Sequence, residues 1–323
     1  MEIGLREIVE AQDFLRDQIV ETPFINLSGN KIRSLFTGSG KVKMKLEFLQ
    51  HVGSFKSRGV LLGLSKLTSD QKRAGVIAFS AGNHALAVSW ASKVYGLSAK
   101  VIMPNNADEF RIEGCKAYGA EILLADNAAD GFSLMQKLSI SENRQIMHPF
   151  EADHMILGAA TCGFEMINEM SEMEAIIIPI GGGGLISGIA TAIKLVRPTV
   201  KVYGVEPFGA DSMFQSFSKN RPVIINNVNT IADSLGAPMA LPKSYKLARM
   251  HVDEIVRLSD IQMITSMNLI REKLNFLVEP ACASSLAAYL GPLKDKLLNK
   301  NVALIACGSN ISFDRYRKIV HLG

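Results

Sequence analysis

The stretch AIIIPIGGGGLISGIATAIKLV, residues 175–196, decides the fold. Ala175 to Ile180 is apolar throughout and has no polar face. Such a strand is buried on both sides, as in a parallel sheet covered by helices. From Leu185 to Val196 apolar residues recur at helical spacing. Between the two lie Gly181, Gly182, Gly183 and Gly184. Glycines let the backbone approach an anion there, and the free N–H groups of the first helical turn point at it. A tight strand-to-helix turn rarely needs four successive glycines, so a phosphate is the natural occupant.

The same alternation runs through the rest of the chain. Upstream, strands are expected at 76–80, 99–103, 121–125 and 145–148, with helices at 83–95, 108–118 and 129–140 between them. Gly96 and Gly119 stand where two of these helices stop. That stretch alone reads as a small doubly wound unit. Downstream of Pro149, helices are expected at 159–170, 238–250, 260–276 and 280–290, and strands at 200–206 and 302–307. Residues 57–67 read as an amphipathic segment, and 207–233 carries no firm pattern. The expected fold class is therefore α/β, with two doubly wound open-sheet domains.

Composition agrees. A chain of 323 residues is about twice the size of one compact core. It is 48% hydrophobic and 20% charged, as ordinary folded proteins are. The net charge of +4 forms no basic stripe, and the basic run Arg315 to Lys318 is short, so no nucleic-acid partner is expected. No apolar run approaches the roughly 20 residues that span a bilayer, and Met1 to Glu10 lacks the apolar core of a signal peptide. Cys115, Cys162, Cys282 and Cys307 form no C-x-x-C pair, which suggests reduced thiols in a cytoplasmic protein.

Three more segments sit where a strand or loop meets a helix, the place where open α/β sheets bind ligands. In Gly53-Ser54-Phe55-Lys56, an aromatic that can pack on a flat cofactor precedes a lysine. Most lysines are solvated surface charges, but one desolvated beside a ring drops in pKa and can form a Schiff base. In Ser80-Ala81-Gly82-Asn83-His84, a helix start can bind a carboxylate, although plain capping by Ser80 explains it as well. The third is Cys307-Gly308-Ser309-Asn310. The glycine loop also admits a dinucleotide: Gly182-x-Gly184-x-x-Ser187 is a distant G-x-G-x-x-G/A, and Glu206 ends the next strand where a ribose-binding acid would stand. A nicotinamide-dependent oxidoreductase is the rival on that reading.

In this order, the segments resemble the threonine/serine dehydratase family, fold-type-II pyridoxal-phosphate enzymes of tryptophan synthase β-like architecture that include serine racemase. The matching stretches also take in 45–50, His148-Pro149-Phe150, Pro179 through Gly188, Glu206-Pro207, Ala232-Asp233 and Glu279-Pro280-Ala281. The resemblance implies a small domain of residues 75–151 set into a large one of 1–74 and 152–323, and a homodimer. It implies that Lys56 bears pyridoxal 5'-phosphate, that Phe55 flanks its ring and that Asn83 bonds the ring hydroxyl. Gly181, Gly182, Gly183 and Gly184 would hold the phosphate, while Ser80, Asn83 and His84 would hold the carboxylate of a small amino-acid substrate, largely through the helix start. The implied reaction removes water and ammonia from a β-hydroxy amino acid such as L-threonine or L-serine, leaving a 2-oxo acid. Another β-hydroxy amino acid, racemisation, and a non-catalytic amino-acid sensor are the alternatives.

The departures carry meaning. Cys307 stands where the family usually has serine beside the pyridine nitrogen; like serine, it is too weak an acid to keep that nitrogen protonated. Ala81 replaces the second serine of serine racemases, which serves the face opposite the lysine, so lyase ranks above racemase. Gly158-Ala159-Ala160-Thr161 replaces Gly-Gln-Gly-Thr, and Ser234 and Cys282 replace glycines. Of the family's divalent-metal ligands, Glu206 and the Ala210 carbonyl are present, but Ser212 replaces an aspartate, which weakens the set of hard oxygen ligands.

Overall fold

The computed structural model describes residues 3–27, 32–36 and 38–321. Residues 1–2 and 322–323, the ends of the expected large domain, lie outside the described residues, as do 28–31 and 37. The first part of the chain forms α1 (Leu5–Leu15), β1 (Phe24–Asn26), β2 (Val42–Lys45), α2 (Lys56–Ser65) and α3 (Ser69–Ala74). There follow β3 (Val76–Phe79), α4 (Asn83–Val94), β4 (Ala99–Pro104), α5 (Glu109–Ala117), β5 (Glu121–Ala125), α6 (Ala128–Ser141) and β6 (Gln145–Ile146). Next come α7 (Asp153–Glu169), β7 (Ala175–Pro179), α8 (Gly184–Val196), β8 (Lys201–Pro207) and α9 (Ser212–Lys219). The chain closes with α10 (Pro242–His251), β9 (Glu254–Leu258), α11 (Asp260–Leu274), α12 (Pro280–Leu290), β10 (Val302–Ile305) and α13 (Phe313–Val320).

Two sheets result. One runs β5-β4-β3-β6 and is parallel throughout. The other runs β1-β2-β10-β7-β8-β9 and is parallel except for the β1–β2 pair. Every residue of β7 is buried, and Ile177 pairs with Tyr203 on one side and Leu304 on the other. That position explains its lack of a polar face: neighbouring strands satisfy its backbone, and helices cover both surfaces. Gly96 and Gly119 take positive φ values, +67° and +85°, just past α4 and α5, as helix stops require.

Beyond α1, β1, β2, α3 and α13, where no element was expected, four elements differ from expectation. The helix α2 is not amphipathic: Ser57 to Leu64 are all buried. Its polar face is neutralised internally. Arg58 bonds Glu47 (Nε–Oε2 2.8 Å) and Glu165 (Nη1–Oε1 2.6 Å), and buried Lys45 reaches Glu165 at 2.8 Å. Such a cluster is weak evidence for stability but fixes register, here two residues from Lys56. The helix α7 starts at Asp153, earlier than expected, because Ala152 at the N-cap offers no side-chain acceptor that would mark the start. The helix α10 starts at Pro242 rather than Pro238. Residues 207–233 contain α9, whose first-turn N–H groups are capped by Glu206 from outside the helix: Oε1 accepts from Met213 (2.9 Å) and Oε2 from Phe214 (2.7 Å). Among the described residues no helix is long and apolar enough to cross a membrane.

Candidate active site

The carboxyl ends of β3, β7 and β10 lead into Ser80, Gly181 and Cys307, and all three residues line one cavity of about 720 Å³. Lys56, Phe55, Asn83 and His84 line it too, as do the four glycines. The residues singled out in sequence therefore meet, apart from the expected metal pair.

The turn that delivers Lys56 is strained. Val52 sits in the left-handed region at φ +53°, followed by Gly53 at +68°. For a β-branched residue this costs about 1–2 kcal/mol. Asn310 holds the turn, its Nδ2 donating to Val52 O (2.6 Å) and to Asn83 Oδ1 (2.6 Å). The Cys307 segment closes the other side: Phe55 N–H donates to Cys307 O (3.3 Å) and Ser309 N–H to Gly53 O (3.0 Å). Lys56 Nζ donates to Pro149 O at 2.6 Å and lies 5.0 Å from the Phe55 ring centre. Burial of this amine pulls its pKa down to about 8. A free amine at such a pKa can form a Schiff base or move a proton.

The glycine loop opens α8. Gly183 adopts φ +92°, and a Cβ on Gly182 would stand 2.2 Å from the Phe150 ring. Side chains are excluded from both positions, which leaves a backbone cradle at a helix N-terminus, suited to a phosphate. Cys307 is buried, and burial pushes its thiol well above the ordinary value, so it is neutral.

Asn83 opens α4. Its Nδ2 donates to Glu279 Oε1 (2.7 Å) and makes only a long contact, 3.4 Å, with Ser234 Oγ. A ring hydroxyl would compete with Ser234 for the second amide hydrogen. Ser80 Oγ accepts from Gly82 N–H at 3.3 Å, and a Cβ on Gly82 would meet nothing closer than Arg111 Nη1 at 3.9 Å. The loop is open to an incoming anion. His84 also lines the cavity. Its Nε2 bonds Met147 O at 2.8 Å inside the protein, and burial drives the ring's pKa well down. Its Nδ1 has no partner among the described residues, and the helix start at Asn83 is the part of the loop that the resemblance gave to the carboxylate.

Arg111, Glu279 and Asn310 received no individual role in the sequence reading. Arg111 bonds Asp233 Oδ2 (2.6 Å), Asn310 O (3.0 Å) and Ala81 O (3.3 Å), and approaches Glu279 Oε2 at 3.5 Å. It thereby ties α5 to the loops that bound the site. Glu279 is fully enclosed, and burial raises its carboxyl to about 7. A lone arginine in a short helix carries no sequence signal of this kind; Glu279 and Asn310 lay within matching stretches.

The expected metal ligands form a separate corner. Both Glu206 oxygens are spent on α9, Asp211 pairs with Arg257 at 2.9 Å, and Ser212 Oγ is buried without a partner. Among the described residues no group of three or more His, Cys, Asp or Glu is arranged to hold a metal ion. The pair Glu206 and Ala210 stays an incomplete set of hard oxygen ligands, since Ser212 offers a hydroxyl where the family has a carboxylate. Glu206 is buried and does not line the cavity of the glycine loop, which removes it from the ribose-binding role of the dinucleotide reading.

Residues 15–308 match the family described as pyridoxal-phosphate dependent enzymes. A phenylserine dehydratase of Ralstonia pickettii is 42% identical over 282 residues, covering 87% of this chain and 86% of that protein. An L-threonine ammonia-lyase of Thermotoga maritima is 32% identical over 322 residues, 99% of this chain and 79% of that one. The structure of maize serine racemase superposes with a TM-score of 0.92 at 29% identity, covering 100% of this chain and 98% of that one. The chain belongs to the threonine/serine dehydratase family of pyridoxal-phosphate-dependent enzymes, the ammonia-lyases related to serine racemase.

Proposed function

We propose that this enzyme removes water and ammonia from β-hydroxy amino acids, L-serine and L-threonine being the smallest members of the range, with Lys56 bearing the cofactor. The observation that carries this reading is one cavity shared by a desolvated lysine amine and a four-glycine helix start. The relative named for phenylserine extends the range to larger β-substituents. The free thiols, all buried, fit a cytoplasmic enzyme.

Pyridoxal phosphate bound here supplies the electron sink that lets an amino acid lose its Cα proton. Lys56, with its pKa lowered to about 8, keeps about a tenth of its amine free at pH 7 and serves as the base. The N–H groups of Gly181 to Gly184 hold the phosphate. The α4 start at Ser80 to Asn83 holds the substrate carboxylate, with Arg111 beneath. Cys307, a neutral group lining the cavity, would sit beside the pyridine nitrogen and leave it unprotonated, which would favour expulsion of a β-hydroxyl over long-lived carbanion chemistry. The unsaturated product hydrolyses to the 2-oxo acid and ammonia. A nitrogenous-product assay coupled to 2-oxo acid detection over a panel of β-hydroxy amino acids tests the reaction; release of neither product from any of them contradicts it.

Ala81 offers only a methyl group where a second proton donor is needed for racemisation. Positioned acid–base assistance is worth roughly 100- to 10,000-fold. Incubation with L-serine is expected to give pyruvate with at most traces of D-serine, and Ala81→Ser to raise the D-serine fraction. A chiral assay run beside the keto-acid assay decides it, and D-serine formed as fast as pyruvate by the unmodified enzyme contradicts it.

The neutral role of Cys307 gives another expectation. Cys307→Ser keeps the elimination rate within about tenfold, since it exchanges one neutral hydrogen-bonding group for another. Cys307→Asp places a carboxylate at the nitrogen, favours its protonation and diverts turnover toward transamination. Absorbance of the cofactor during turnover checks both variants. A folded, cofactor-loaded Ser variant without activity contradicts the assignment.

A further inference from the structure

One wall of the cavity is built for something that elimination itself does not require. Phe79 ends β3, one residue before the proposed carboxylate site at Ser80, and its ring lies against α6 at Gly131. A Cβ on Gly131 would stand 2.3 Å from Phe79 Cε2, so α6 seats this ring only by lacking a side chain there. The next residue, Phe132, brings its ring centre to 4.7 Å from that of Phe79, tilted by 54°. Met135, one turn further along α6, and Ile146 of β6 also line the cavity. Behind them Ile77, Ile102 and Ala125 form a small core with Met135. Gln136 is the polar member of this side. Phe132 is one of the cavity's lining residues and remains 41% exposed.

A hydroxymethyl or hydroxyethyl side chain is too short to cover such a surface, whereas an aromatic ring on Cβ can pack on the pair edge to face, the arrangement aromatic groups prefer. We propose that this enzyme is selective for β-hydroxy amino acids carrying an aromatic ring on Cβ, received against the Phe79–Phe132 pair, with Gly131 and Phe132 as specificity-determining residues. The inference rests on the lyase reading of the same site and adds the substrate class to it. Phe79 and Phe132 recognise the ring; Lys56 and the α4 start act on the part that all such substrates share.

The experiment measures kcat/KM of the purified holoenzyme for phenylserine, L-threonine and L-serine by 2-oxo acid release. Phenylserine is expected to lead L-threonine by at least about tenfold, the scale on which apolar pockets discriminate. Phe132→Ala is expected to lower the phenylserine-to-serine ratio by at least about tenfold, and Phe132→Leu, which keeps apolar bulk but removes the ring, by less. Gly131→Ala displaces the Phe79 ring toward the cavity and lowers the same ratio. Because Phe132 is half open to solvent, its replacement leaves the fold intact, and the cofactor absorbance verifies this. L-Threonine used as well as phenylserine, or a ratio unchanged in Phe132→Ala, overturns the proposal while leaving the lyase reading in place. No turnover of any of the three removes both.

Discussion

Lys56→Ala is expected to cut the 2-oxo acid-forming rate by at least about a thousandfold. A positioned base alone is worth roughly 100- to 10,000-fold, and this residue is proposed to act both as base and as covalent anchor. Lys56→Arg is not expected to rescue, because a guanidinium stays protonated at every working pH. The structure also predicts what the change does not do. The Lys56 amine is desolvated and has its pKa pulled down to about 8, so its charged form is disfavoured by the fold. Removing it leaves Pro149 O without this donor but relieves a buried charge, and the melting temperature is expected to hold or rise slightly. A steady-state assay with a thermal melt on the same samples separates the two effects. A lysine that merely supported the fold would lose stability first; retention of activity in a folded Lys56→Ala enzyme contradicts the assignment.

Gly183→Val is expected to weaken retention of pyridoxal phosphate by about 100-fold. The backbone there stands at φ +92°, and a Cβ would approach Met213 Cε and Ser244 Cβ at 2.9 Å. The left-handed conformation costs an L-residue about 1–2 kcal/mol, and each displaced N–H contact to a charged phosphate about 1.5–3 kcal/mol more. Together these reach the two factors of ten expected. Titration of the cofactor-free variant with pyridoxal phosphate, followed by absorbance, measures it. Unchanged affinity in a folded Gly183→Val protein means that the phosphate sits elsewhere.

Much of the fold was legible because its signals are local. The strand 175–179 announces itself by lacking a polar face, α12 by Pro280 at its start, and α4 and α5 by the glycines that end them. What escaped the sequence is held by partners remote in the chain. The helix α9 is capped by Glu206, which no capping rule places there. The helix α2 buries Arg58 because Glu165 comes to it from more than a hundred residues away. The site divides in the same way. Lys56, the glycines and Asn83 stand in recognisable turns, whereas Arg111 matters through Asp233, Asn310 and Ala81, three contacts that only the folded chain creates. His84 shows the converse. Its position in the loop was visible in sequence, but Met147 O claims its Nε2.

Chemical trapping tests most directly whether Lys56 carries the cofactor. The holoenzyme is reduced with sodium borohydride, digested, and its peptides are mapped by mass. Reduction is expected to abolish the visible absorbance band and to leave a single phosphopyridoxyl adduct on the peptide containing Lys56. An adduct on another lysine, or a protein that takes up pyridoxal phosphate without forming any reducible link, contradicts it.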